Sequence, residues 1–135
     1  MAAADTDNER LVIKFFEKLS AGDFDGVKSL LHADAVWKVM AQGIPGAGDH
    51  LGHKGIVDEF LMPVRLEIFE LGDPKVVVDT ILSKGSLVAA ETRGVGRLKS
   101  GKEYRNIYAW MIEIKDGKLF RVHEHMDSHY VTTLV

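Results

Sequence analysis

The segment from residue 119 to residue 127 puts an ionisable side chain on an otherwise apolar face. Alternate residues of a strand point to the same side. Here one side groups Glu124 with three apolar residues, Phe120, Val122 and Met126. Apolar surroundings disfavour the charged form of a carboxyl group and raise its pKa toward neutral pH, where proton transfer is most effective. The pattern predicts that Glu124 is a general acid or base.

The preceding segment, residues 103–115, would bring hydrogen-bond donors to the same place. Tyr108 and Asn106 lie at a two-residue step among bulky apolar residues. A hydroxyl and an amide so placed would donate to a developing enolate or alkoxide, which is the role of an oxyanion hole. We predict that both residues belong to a catalytic site with Glu124.

An earlier segment, residues 87–98, adds charged groups. Glu91, Arg93 and Val95 share one face there. Arg93 could orient Glu91 or bind an acidic group of a substrate, so both are included among the predicted catalytic residues. A shift of one residue would turn the opposite face of the segment inward, with Thr92 and Gly94, and both orientations stay open.

Bulky apolar residues would complete a pocket for a small apolar molecule. The predicted lining consists of Trp37, Val39, Phe15, Phe60, Val95, Trp110, Val122, Met126 and His53. Core packing is the alternative interpretation of the large residues in this set. His53 ends a Gly-rich stretch, residues 42–53, which is predicted to be a loop that could form a rim or lid.

A structural role is the alternative for Glu124. An ion pair with Arg93 or a hydrogen bond from Tyr108 would fix the sheet without any chemistry. The protein would then be a non-catalytic ligand-binding or dimerisation module.

The spacing of His123, His125, Asp127 and His129 invites a metal-site interpretation, because alternate strand residues share a face. That face should point away from the helices, toward solvent or a second protomer. We predict neither a metal nor a cofactor. Protonation of histidines in such an interface would weaken association as the pH falls through about 6.5.

Helices should come first in the chain. Thr6 and Glu9 have the spacing of a capping box before an amphipathic helix. A second helix should follow Asp23, and a third is predicted over residues 54–61, with a break or kink near Met62 because Pro63 lacks a backbone donor.

Strands should follow the helices. A short strand is predicted over residues 35–40, and later strands over residues 76–82, 87–98, 103–115 and 119–127. Their connections include Asp116-Gly117, a strong hairpin signal. This order predicts an α+β fold in which helices cover one face of a curved antiparallel sheet.

The composition is ordinary for a globular protein. The 135 residues are predicted to form one domain over 1–135, with a loose tail at 1–5. A net charge of −3 offers no field for nucleic acid, and no apolar run is long enough to span a bilayer. The chain has no cysteine, which fits a reducing compartment. We expect a cytoplasmic protein that binds neither nucleic acid nor membranes.

An ordered set of short motifs resembles a known fold family. The motifs are Phe15-Phe16-x-x-Leu19-x-x-Gly22-Asp23-x-Asp25, Ala33-Asp34-Ala35-Val36-Trp37, Gly52-His53-x-Gly55-Ile56, Tyr104-x-Asn106-x-Tyr108, Asp116-Gly117-Lys118 and His123-Glu124-His125-Met126-Asp127. Together they are similar to the nuclear transport factor 2-like fold, in its SnoaL-like and ketosteroid isomerase-related branch. The resemblance implies a cone: N-terminal helices packed in the concave face of a strongly curved, mostly antiparallel sheet. It also implies one deep pocket and a homodimer paired through the outer sheet face.

The resemblance carries different catalytic groups over to different degrees. Phe15 and Val39 stand where steroid isomerases use Tyr and a base Asp, which argues against that activity. Of the epoxide hydrolase machinery, the Tyr and Asn that hold water are replaced by Trp37 and Val39. Glu124 matches the carboxylate that shuttles protons in SnoaL-like cyclases. The resemblance thus implies a cofactor-independent acid/base isomerase, cyclase or hydrolase acting on an apolar carbonyl or ring compound.

Overall fold

The computed structural model describes residues 3–134. The helices are α1 (Asp7–Ala21), α2 (Phe24–Leu30), a π-helical segment (Lys54–Leu61) that continues into α3 (Met62–Ile68), and α4 (Ser128–Thr132). The strands are β1 (Leu31–Val39), β2 (Gly48–Leu51), β3 (Lys75–Lys84), β4 (Leu87–Arg97), β5 (Glu103–Lys115) and β6 (Lys118–Met126). Of the predicted tail, residues 1 and 2 lie outside the described residues, and residues 3–5 form neither helix nor strand.

The first helix begins as its sequence predicts. Thr6 is its N-cap and accepts a hydrogen bond from the backbone N–H of Glu9 at 3.1 Å. The chain leaves the helix through Gly22, whose φ of 68° is the left-handed conformation that glycine adopts at low cost. The buried face of α1 carries Val12, Phe15 and Phe16.

The third helix has the predicted bounds as a π-helical segment, Lys54–Leu61, and the break predicted near Met62 is a change of helix type rather than an end. The helix changes there from π-helical to α-helical, and the backbone N–H of Met62 donates to the carbonyl of Val57, five residues earlier. Pro63, which has no backbone N–H to donate, falls at this junction in the first turn of α3. The helical path therefore extends to Ile68.

The six strands form one curled sheet in the order β2-β1-β6-β5-β4-β3. β1 and β6 run parallel, and all other described neighbours are antiparallel. The four strands from β3 to β6 confirm the predicted meander to within two residues at each end. The predicted α+β fold, with N-terminal helices packed against a curled sheet, is confirmed.

Strand β2 lies inside the stretch predicted to be a loop. It pairs with β1, with His50 opposite Trp37, at the edge of the sheet. Its side chains alternate between half-buried and exposed, so no apolar periodicity marks it in the sequence.

The core lies between α1 and the sheet. Phe15 packs against Trp37 with ring centroids 5.8 Å apart, and Phe16 packs against Trp110 at 5.1 Å. These contacts fix the first helix over β1 and β5.

Within residues 3–134, no helix combines the length and apolar character that crossing a membrane requires.

Candidate active site

A cavity of about 250 Å³ lies beside this core. Strands β1, β4, β5 and β6, the helical stretch 60–68 and residues 44–46 contribute to its wall. Of the predicted pocket residues, those that line it are Trp37, Val39, Phe60, Trp110 and Met126. The predicted catalytic residues Glu124 and Tyr108 also line it.

Glu124 reaches the cavity from β6. It lies between Trp110 of β5 and Val39 of β1, the strand that runs parallel to β6. Its Oε1 accepts a hydrogen bond from the indole N–H of Trp37 at 2.8 Å. Its Oε2 has no hydrogen-bond partner among the described residues. Every fully buried side-chain oxygen of those residues does have a partner, so Oε2 is not fully buried and faces the cavity.

Burial makes this carboxyl group a weaker acid than an ordinary glutamate. Loss of water around Glu124 raises its pKa to about 7, although the hydrogen bond from Trp37 partly opposes the rise. No cationic side chain of the described residues forms a salt bridge with it. Protonated and ionised forms are therefore both accessible near neutral pH.

Two tyrosines form the neighbouring polar group of the cavity. The hydroxyls of Tyr104 and Tyr108 are hydrogen-bonded to each other, and both residues line the cavity. Burial raises the pKa of both phenols, that of Tyr108 well above its usual value, and the negative charge of Glu124 acts in the same direction. Both phenols are therefore neutral and able to donate at physiological pH.

Asn106 lies behind the tyrosines. It is buried, it is not part of the cavity wall, and its Nδ2 donates to the hydroxyl oxygen of Tyr104 at 3.0 Å. The predicted direct contact between Asn106 and a ligand is therefore wrong.

The charged residues predicted on β4 point away from the cavity. Glu91 and Arg93 are exposed, and Arg93 forms two hydrogen bonds with Asp79, at 2.8 and 2.9 Å. Val95 lies on the same outer face. The predicted roles of these three residues at the pocket are wrong.

Pairing of β4 with β5 explains this correction. Thr92 lies opposite Tyr108, so the two side chains point to the same side of the sheet. Thr92 and Gly94 line the cavity, and Thr92 accepts a 2.8 Å hydrogen bond from the indole N–H of Trp110. Of the two orientations left open by the sequence, the structure has the one with Thr92 and Gly94 inward.

Three further predicted pocket residues are not part of the cavity wall. Phe15 and Val122 are fully buried in the core, because α1 and the sheet close over them. His53 uses its Nε2 in a 2.9 Å contact with the carbonyl oxygen of Leu31, which holds it against the start of β1. Phe15 and Val122 are thus core residues, and His53 lies beside β1 rather than at the cavity.

The Gly-rich stretch contributes to the wall through residues 44–46. Its position is held by His50, whose ring stacks on Phe60 at 3.9 Å and whose Nε2 lies 2.7 Å from the carbonyl oxygen of Gly46. The loop is thus tied to the cavity through Phe60.

Some cavity residues escaped the sequence analysis. Arg65 is buried, and its guanidinium donates to the carbonyl oxygens of Leu19, Ser20 and Pro74 at 2.7 to 3.0 Å. It thereby satisfies carbonyl groups at the end of α1. Val131 and Leu134, near the end of the chain, also line the cavity. The two-residue step that marked Tyr108 could also have identified Tyr104.

The His-rich segment forms no metal site among residues 3–134, where no group of three potential ligands is close enough together. His123 and His125 lie on β6, whereas His129 lies on α4. The regular two-residue step therefore ends at the strand terminus.

A family model described as the SnoaL-like domain matches residues 12–122 of the chain. No curated protein matches its sequence.

Solved structures share the fold at low sequence identity. A nuclear transport factor 2-like protein of unknown function from Burkholderia pseudomallei K96243 superposes with a TM-score of 0.85 and 17% identity, covering 97% of this chain and 98% of that chain. TerC, co-crystallised with polyporic acid, has a TM-score of 0.82 and 21% identity, with coverages of 96% and 98%. An epoxide hydrolase of the LEH-like type from M. tuberculosis has a TM-score of 0.76 and 18% identity, with coverages of 94% and 87%. At these identities the similarity establishes the fold alone.

Proposed function

This chain belongs to the SnoaL-like domain family, and from that premise we propose that it catalyses cofactor-independent proton transfer on a small apolar carbonyl or ring compound. In this proposal Glu124 is the general acid/base, and Tyr108 donates a hydrogen bond to the oxygen that gains negative charge. Isomerisation and cyclisation are the reactions that such a transfer serves most directly.

The observation that carries the proposal is a buried carboxyl group facing a cavity without a cationic partner. An ion-paired Glu124 would be held ionised and could not return a proton easily. The indole N–H of Trp37 holds Oε1, and Oε2 is left to face a ligand. A pKa of about 7 lets Glu124 accept and return a proton at neutral pH.

The wall of the cavity supports the choice of substrate class. Tyr108 and Trp110 stack with centroids 5.6 Å apart and planes 18° from parallel, and Phe60 and Trp37 add two more aromatic rings. Such walls favour flat or cyclic apolar molecules. TerC was co-crystallised with polyporic acid, and an epoxide hydrolase has the same fold. Small organic ligands are thus a reasonable class to test.

The proposed proton transfer needs only Glu124, Tyr108 and the ligand. The carboxylate of Glu124 removes a proton from the carbon next to a carbonyl, and the electron pair of that C–H bond moves toward the carbonyl oxygen. Tyr108 stabilises the resulting enolate by donating its hydroxyl hydrogen bond. Protonated Glu124 then returns the proton to another atom of the same ligand, which leaves the enzyme unchanged.

A non-catalytic binding module is the rival function. Its sequence argument was mutual neutralisation of Glu124 and Arg93, and Arg93 instead bonds to Asp79 on the outer face of the sheet. The rival therefore has to explain a buried carboxyl group that is hydrogen-bonded to Trp37 but has no cationic partner among the described residues.

The test is exchange of the α-protons of 1-tetralone in D₂O, followed by NMR. Wild-type protein should accelerate exchange, and Glu124→Gln should lower the rate by about 100-fold or more, because general base catalysis typically contributes that much. Glu103→Gln makes the same change at an exposed position of β5 and should exchange at the wild-type rate. Equal rates in wild type and Glu124→Gln would remove Glu124 from the role. Absence of exchange with a panel of such ketones would favour the binding module.

A further inference from the structure

A row of hydrogen bonds behind the cavity begins at the side-chain amide of Asn106 and continues through the hydroxyls of Tyr104 and Tyr108. The Oδ1 of Asn106 accepts from the backbone N–H of Ile107 at 2.8 Å, and its Nδ2 lies 3.5 Å from the carbonyl oxygen of Asp127. Rotation of the amide by 180° would put its oxygen against a carbonyl and its NH₂ against an N–H. Two backbone groups thus fix the amide so that Nδ2 points toward Tyr104.

Tyr104 receives the next hydrogen bond. Its hydroxyl oxygen accepts from Asn106 Nδ2 at 3.0 Å, and its other hydrogen-bond partner among residues 3–134 is the hydroxyl of Tyr108. The geometry of that bond allows either hydroxyl to be the donor. Tyr104 is the more buried of the two residues and already accepts from Asn106, which favours donation from Tyr104 to the oxygen of Tyr108.

Tyr108 then has a proton left over. With its oxygen accepting from Tyr104, its own proton has no hydrogen-bond partner within the described part of the chain. Because Tyr108 lines the cavity, we infer that Asn106 and Tyr104 are positioning residues that aim its hydroxyl proton into the cavity. The site accordingly selects a ligand that presents an acceptor oxygen, such as a carbonyl, at that point.

This inference rests on the donor role of Tyr108 in the proposed function, and it adds a cause for the direction of the bond. A hydroxyl that already accepts a hydrogen bond is polarised and becomes a better donor. Tyr104 should therefore strengthen the bond from Tyr108, whereas Asn106 decides whether that bond points into the cavity at all.

The experiment compares binding of 1-tetralone with that of tetralin, which has the same ring system without the oxygen. At pH 8.5 Glu124 is mostly ionised and cannot donate to the ketone. The preference is the Kd for tetralin divided by the Kd for 1-tetralone. This ratio should be about two- to tenfold higher in wild type than in Tyr108→Phe, the range expected for one net hydrogen bond. The carbonyl carbon of ¹³C-labelled tetralone should also resonate at higher frequency in wild type than in Tyr108→Phe. Equal values in these two proteins would overturn the inference without depending on any destabilised variant.

Two variants separate positioning from a merely structural role. In Asn106→Asp a carboxylate accepts the proton of Tyr104, which turns both tyrosine bonds around, so the preference and the ¹³C shift should fall to the Tyr108→Phe values. Tyr104→Phe removes only the polarising bond and should give intermediate values. The inference fails if both variants behave alike, or if either binds as wild type does.

Controls keep the two hypotheses apart. Asn8→Asp adds the same charge at the start of α1 and should leave the ketone preference unchanged. Should folding of Asn106→Asp be lost by near-UV circular dichroism, Tyr104→Phe and Tyr108→Phe still decide the outcome. A normal preference together with unchanged proton exchange in Glu124→Gln would retain this inference and reject the proposed function.

Discussion

At the residue scale, the defining property is a carboxyl group that the fold holds in a poor environment for its charge. Glu124 has a pKa of about 7 in the folded protein against an ordinary value of 4.5. A raised pKa means that the folded state favours the protonated form, so the contribution of Glu124 to stability is fully present below pH 4.5. This contribution is lost as the pH rises through about 7, and the loss amounts to about 3 kcal/mol.

The pH dependence of stability in Glu124→Gln follows from this shift. Gln keeps an oxygen that can accept from Trp37 but does not ionise. The free energy of unfolding of the variant minus that of wild type should therefore be about 3 kcal/mol larger at pH 8 than at pH 4.5. Urea unfolding at the two pH values measures it. A difference independent of pH would mean that Glu124 does not titrate with a raised pKa.

At the scale of elements, β4 decides what the cavity contains. Its pairing with β5 turns Thr92 and Gly94 inward and leaves Arg93 outside. The absence of a side chain at Gly94 matters, because a Cβ there would lie 2.9 Å from Cε1 of Tyr108 and 3.3 Å from Cε2 of Tyr104. The tyrosines occupy space that only a glycine on β4 leaves open.

Gly94→Ala should therefore displace Tyr108. We expect a loss of about 1–3 kcal/mol in stability from overpacking, and a 10- to 100-fold loss in tetralone exchange because the donor is misplaced. Gly55→Ala is a matched control, since its Cβ would meet its nearest atom, the backbone carbon of His50, at 3.8 Å. It should fold and exchange as wild type does. Wild-type exchange in Gly94→Ala would show that the tyrosines tolerate the shift.

At the scale of the whole molecule, the outer face of the sheet carries exposed apolar residues. Leu82, Ile107 and Met111 are 58%, 65% and 40% exposed, on β3 and β5. Exposed apolar side chains gathered on one face are typical of association surfaces. We propose that two copies of the chain pair through this face, as the resemblance implied from the sequence.

Sedimentation equilibrium at neutral pH tests the dimer. Wild-type protein should have twice the chain mass of 15.0 kDa at micromolar concentrations. Ile107→Glu should shift it to the monomer by placing a charge in the interface. Leu71→Glu changes a residue that is 98% exposed outside the sheet, and it should remain dimeric. A wild-type monomer at about 100 µM, a concentration at which even weak pairing would be detected, would reject the pairing.

The sequence by itself determined the local features. The N-cap at Thr6 and the buried face of α1 follow from side-chain type and helical period. The hairpin at Asp116-Gly117 and the shared face of Val122, Glu124 and Met126 follow from turn chemistry and strand alternation, whereas a register shift between β5 and β6 buries Leu119 in place of the predicted Phe120. Each of these depends on residues within a few positions of one another.

Only the tertiary structure decided how these pieces meet. The parallel pairing of β1 with β6 brings Trp37 to Glu124 across 87 positions of sequence. The pairing of β4 with β5 turns Thr92, rather than Arg93, toward the cavity. Alternation shows that two residues share a face, but it does not show which face is inward. That choice depends on the hydrogen-bond register between distant strands and on the packing of α1 above them.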